Sequence, residues 1–207
     1  MFIEVKESGK LKIPNKEVLH GWSEWITSES PVAGARTDKI FSCCVNGPVN
    51  AFINQWPPFM EAALHSKLVA KNRGASSRKT PERLYHVFLL GILYGIRGWE
   101  VNVESPAGLG FVDIRITSTH RRSAVLIELK SSEAPNSLEK DADRALQQII
   151  TKNYRNIDQL HGIRHIREYG IASYHLESLV KGRYLERAGC NSGWVERDDP
   201  AVISSSG

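Results

Sequence analysis

Gly110-Phe111-Val112-Asp113-Ile114-Arg115-Ile116 and, one polar turn later, Ala124-Val125-Leu126-Ile127-Glu128-Leu129-Lys130 are the stretches on which the fold turns. Both read as strands, because apolar residues alternate at period 2 and the second run is apolar nearly throughout. In the first, Val112, Ile114 and Ile116 share one face, leaving Asp113 on the other with Phe111 and Arg115. In the second, Glu128 and Lys130 share a face with Ala124 and Leu126. If Ile116 pairs with Ser123, Asp113 lies diagonal to Glu128, roughly 7–8 Å away. A two-residue slip sets the acids directly opposite each other. Either register keeps them on one face.

Working outward, Trp99–Val103 reads as a preceding strand, and its short linker predicts an antiparallel meander. Upstream, Thr80-Pro81-Glu82 starts a helix: a hydroxyl N-cap, proline at the first position, then an acid in the first turn. That helix is expected to run to about Gly98 and to be buried, since it is apolar nearly all round. Downstream, Leu138–Tyr154 reads as a helix with Ala142, Ala145, Leu146, Ile149 and Ile150 as its stripe. Tyr169–His175 reads as a fourth strand. A helix over Val49–Trp56 is expected to break at Pro57-Pro58 and resume over Phe59–Lys71. The result is an α/β sheet flanked by helices. Residues 1–40 read as an N-terminal helical appendage with Val18, Leu19, Trp22, Trp25 and Ile26 at helical spacing. Residues 41–195 form the main domain, and the polar stretch 196–207 reads as a disordered tail.

The chain has 207 residues, a formal net charge of +4 and a pI of about 9.0. That excess allows an anionic partner without demanding one. The cations are unevenly placed, however. Lys67, Lys71, Arg73, Arg78, Lys79 and Arg83 fall within one segment whose sole acid is Glu82. This segment is a candidate nucleic-acid contact through Lys71, Arg73, Arg78 and Lys79, with a solvated loop as the equal alternative. Cys43, Cys44 and Cys190 form no CxxC pair, which removes zinc ribbons and a disulfide framework. The N-terminus lacks the apolar core of a signal peptide, and the apolar run Val87–Ile96 is too short for a bilayer. The expectation is an intracellular protein, cytoplasmic or nuclear, that is neither secreted nor membrane-bound.

Two acids and a lysine around one point make a minimal phosphodiesterase site. A divalent cation held by Asp113 and Glu128 polarises a phosphoryl group and activates water. Mg2+ (or Mn2+) suits one or two carboxylates plus the substrate. Lys130 orients that water or stabilises the charged transition state. Glu-x-Lys alone is commonly a solvated strand face. The acid in the preceding strand and the order of elements favour a site.

These residues match a known family. The chain resembles the PD-(D/E)XK nuclease superfamily, and more narrowly the nuclease domain often found C-terminal to an AAA-ATPase-like domain. The resemblance rests on Ile13–Val18, Glu82–Gly91, Gly108–Ile114, Leu126–Lys130, Ala145–Ile149 with Tyr154, and Gly170–Ala172. It implies a restriction-endonuclease-like core, α-β-β-β-α-β, with a central mixed sheet. It implies Asp113, Glu128 and the Leu129 carbonyl as metal ligands, with Glu82 often completing the set, and Lys130 positioning the water. Gln148 matches a polar residue facing the site, and Tyr154, a turn or two beyond, is a candidate substrate contact. The partner implied is nucleic acid, DNA before RNA. A homodimer and an ATPase-like partner domain are compatible with it, residues 1–40 then being a remnant of the latter. The chain departs from the family in having Phe111-Val112 where Arg-Tyr usually precedes the aspartate, and in a longer segment Glu104–Gly108.

Other signals carry less. His161 and His165 are four apart, but Gly162 intervenes and no HExxH acid accompanies them. His86, within an apolar helix, reads as a satisfied core histidine. Gly108-Leu109-Gly110 precedes a strand, so it is no dinucleotide fingerprint. Two rival functions remain: a module on this fold that binds nucleic acid without cutting, and a protein-interaction domain.

Overall fold

The computed structural model describes residues 4–5, 11–12, 35–63, 80–93, 98–156, 160–189 and 192–198. A small antiparallel pair, β1 (Glu4–Val5) and β2 (Leu11–Lys12), stands at the N-terminus. Three helices follow: α1 (Ala35–Val45), α2 (Val49–Ala63) and α3 (Thr80–Leu93). Then come β3 (Glu100–Ala107), β4 (Gly110–Ser118), β5 (Ser123–Ser131), α4 (Leu138–Thr151), β6 (His165–Tyr174), β7 (Glu177–Glu186) and β8 (Val195–Arg197).

The last six strands form one mixed sheet in the order β3-β4-β5-β6-β7-β8. β3, β4 and β5 are the expected antiparallel meander. β6 lies parallel to β5, because α4 carries the chain back between them. This is the α/β, restriction-endonuclease-like architecture, with helices on both faces of the sheet.

Two apolar layers hold it together. On one face, Ile114, Ile116, Val125 and Ile127 pack under Phe52, Trp56, Phe88 and Leu89 of α2 and α3. On the other, Val112, Ala124, Leu126 and Ile166 pack under Ile149 and Tyr154. Each such side chain removed from water contributes about 1.5–3 kcal/mol. α4 approaches closely because Gly170 of β6 has no side chain. A Cβ there would lie 2.4 Å from the Ala142 carbonyl oxygen and 2.4 Å from the Leu146 nitrogen.

Several expectations are corrected. Pro57 and Pro58 do not break α2, which continues to Ala63. Burial of Trp56, Phe59 and Met60 against the sheet outweighs the lost backbone donors. The boundary at residue 40 falls inside α1, whose Ile40 and Phe41 lie in the main core. Glu196 and Arg197, read as tail, belong to β8 and pair with β7. β7 itself was not expected. Val112 does not share a face with Ile114, since the two sit in opposite layers. His165 is in a strand, so the spacing from His161 is not helical. The helix expected over Val18–Ile26 and the end of α3 beyond Leu93 lie outside the described residues.

Candidate active site

The site is built where β4 and β5 part. Their ladder runs from Ser118↔Ser123 to Ile114↔Ile127, which is the slipped register, with Ile116 opposite Val125. The next step would set Asp113 opposite Glu128. Instead of a backbone rung, the Asp113 Oδ2 accepts the Leu129 N–H at 2.7 Å. β5 continues its pairing with β6 through Ser131, so it stays fixed while β4 diverges. A carboxylate thus fills the fork in the sheet.

Glu128 is 2% exposed. Its Oε1 accepts the Lys130 Nζ at 2.9 Å and the Gln148 Nε2 of α4. The same Gln148 nitrogen donates to the Tyr154 hydroxyl at 3.0 Å. Oε2 of Glu128 is buried with no hydrogen-bond partner among the described residues. A buried acceptor in that condition costs about 1–3 kcal/mol, more when charged. An oxygen-seeking cation is the kind of group that would meet it.

Electrostatics agree with that reading. Burial, and then the Asp113 charge, push the Glu128 carboxyl up to about 7, against the pull of Lys130. Burial also raises Asp113, opposed by the Leu129 N–H and by the His86 and Lys130 side chains. Two carboxyls held above their ordinary range at one point would both be relieved by a divalent cation. Asp113, Glu128 and the Leu129 carbonyl are hard oxygen donors of the sort Mg2+ or Mn2+ takes, so the residues fit the group.

Asp113, Glu128, Leu129, Lys130 and Gln148 therefore come together. Tyr154 comes with them, but it is 1% exposed and holds Gln148 from beneath. The expected substrate contact at Tyr154 gives way to support of the site. Burial raises its hydroxyl's pKa, so it stays protonated. Glu82 belongs to α3, but its side chain lies outside the described set, as do Lys71, Arg73, Arg78 and Lys79.

Two residues near the site were not singled out for it. Glu104 falls in the register position opposite Asp113, between Val103↔Ile114 and Ser105↔Val112. Its charge raises the Asp113 carboxyl, and it adopts φ +42°. The sequence suggested a linker there, and nothing in its composition signals the kinked strand. His86 of α3 is close enough to act on Asp113, and its Nε2 is buried with no hydrogen-bond partner among the described residues. It is not the satisfied core histidine expected. Its spacing of one helical turn from Glu82 was the available signal.

A family model described as the PD-(D/E)XK nuclease superfamily matches residues 80–181, the span from the start of α3 into β7. A search of curated proteins finds no match.

Proposed function

Residues 80–181 belong to the PD-(D/E)XK nuclease superfamily, and from that premise we propose that the chain hydrolyses phosphodiester bonds of nucleic acid, DNA before RNA, with Mg2+ or Mn2+. The observation that carries this reading is the buried Oε2 of Glu128 beside Asp113, which has no hydrogen-bond partner among the described residues. Asp113, Glu128 and the Leu129 carbonyl would hold the cation, with Glu82 as a further candidate ligand. The cation, when bound, supplies Lewis acidity and a more acidic water. Gln148, braced by Tyr154, fixes the Glu128 carboxyl so that Oε2 stays directed away from its own donors. Lys130, whose side chain is about 30% exposed, would meet charge developing on the phosphoryl oxygens.

The test is cleavage of supercoiled plasmid and of labelled single strands with Mg2+, Mn2+ or EDTA. Wild type is compared with Asp113→Asn. Metal-dependent cutting lost in the variant is expected. Cutting that persists in the variant, or in EDTA, contradicts the assignment.

A further inference from the structure

Among the described residues, the exposed large hydrophobics are Val103, Leu109, Phe111 and Val195. The first three belong to one hairpin, β3–β4, at the edge of the sheet. Leu109 is 77% exposed and Phe111 is 62% exposed. Phe111 precedes Asp113 by two residues, roughly 7 Å along a strand. That is about two nucleotide steps in a stacked strand.

The tip is held rigidly. Ala107 pairs with Gly110, leaving a two-residue turn with Gly108 at φ +50°, where a hairpin favours glycine. A Cβ on Gly108 would meet the Lys152 and Asn153 carbonyl oxygens at 2.2 and 2.3 Å. The Leu109 N–H donates to the Lys152 carbonyl at 2.8 Å. Gly110 lies against the Tyr154 ring, the same tyrosine that braces Gln148. The hairpin and the metal-site acids therefore share one support. Apolar side chains offered to solvent on a pinned turn lose little further freedom when they bind.

We propose that Leu109 and Phe111 form a stacking platform for an unpaired base of the substrate strand, about two nucleotides from the phosphate to be cut. This rests on the proposed nuclease reading and narrows its substrate to single-stranded or locally opened nucleic acid. An aromatic face accepts any base and needs that base out of its pair. The exposed Lys152 beside the tip offers a cation to the neighbouring phosphate. A second copy of the chain is the rival occupant. The hairpin patch is small against the roughly 1,200–2,000 Å² buried in a stable interface, whereas it matches one base.

The experiment measures affinity for a short single strand carrying a fluorescent base analogue, and for the same sequence fully paired, in EDTA. Cleavage of both is then followed in Mn2+. Phe111→Ala should weaken single-strand binding about fivefold or more, the size of one base–aromatic stack, and leave duplex binding within about twofold. Phe111→Trp should restore it, and Phe111→Leu should not. Equal losses on both probes, full rescue by leucine, or a wild-type dimer that Phe111→Ala dissociates would each overturn the platform. So would wild type that binds neither probe. If wild type binds as expected but never cuts, the platform stands and the nuclease reading falls. If it cuts while Phe111→Ala keeps the wild-type strand preference, the platform falls and the nuclease reading stands.

Discussion

Glu128→Gln should make the metal-free protein more stable at neutral and alkaline pH while abolishing its response to metal. The Glu128 carboxyl is raised from 4.5 to about 7 by burial and by Asp113. The folded state therefore holds a proton that the unfolded chain releases. Stability from this group is full below the unfolded value and is lost as pH rises through the folded one. At about 1.36 kcal/mol per unit, the loss between about pH 5 and pH 8 comes to about 2–3 kcal/mol. Glutamine carries no charge and keeps an oxygen for the Gln148 and Lys130 donors, so it escapes this loss. The stability difference, variant minus wild type, should grow by that amount between the two pH values in EDTA. Taking the difference between pH values cancels any pH-independent packing change. Adding Mn2+ at about pH 8 should stabilise wild type and not the variant, because binding to the folded state alone raises stability. Urea denaturation at both pH values, with and without Mn2+, measures all four terms. A difference that is flat or falls with pH would refute the argument, and so would equal stabilisation of both proteins by Mn2+.

Lys130→Ala should lower turnover about 100-fold or more with substrate affinity little changed, read from single-turnover cleavage at saturating enzyme. A loss confined to affinity would contradict its role. Gly170→Ala should cost about 1–3 kcal/mol or more in urea denaturation, since its Cβ meets α4 backbone, and should lower cleavage by shifting Gln148. Arg167→Met should cost about 2–4 kcal/mol in the same measurement. Its buried guanidinium donates to the Val45 and Gly47 carbonyls at the end of α1.

How far the sequence led depended on the kind of signal. Alternation in β4 and β5 put Asp113 and Glu128 on neighbouring strands, and two candidate registers included the true one. The register itself rests on the turn Thr119–Arg122, where Arg122 takes φ +51°. Nothing in that polar stretch announces such a turn. Val112 escaped the alternation: it lies in the α4-side layer while Ile114 lies in the other, across from the kinked Glu104. β7 (Glu177–Glu186) was missed, and within it Gly182 interrupts the pattern of side chains. In the fold it makes room for Tyr169, whose ring would lie 2.7 Å from a Cβ there. Tyr154 was read as a substrate contact a turn or two beyond Gln148; its burial depends on the β3–β4 hairpin folding over it. Such a contact between distant segments leaves no trace in local pattern.

The central claim is that Asp113 and Glu128 together hold one divalent cation. Electron paramagnetic resonance of added Mn2+ counts free and bound ion directly, without relying on activity. About one tightly bound Mn2+ per chain is expected for wild type, with that binding lost in both Asp113→Asn and Glu128→Gln. Undiminished binding in either variant would contradict the account.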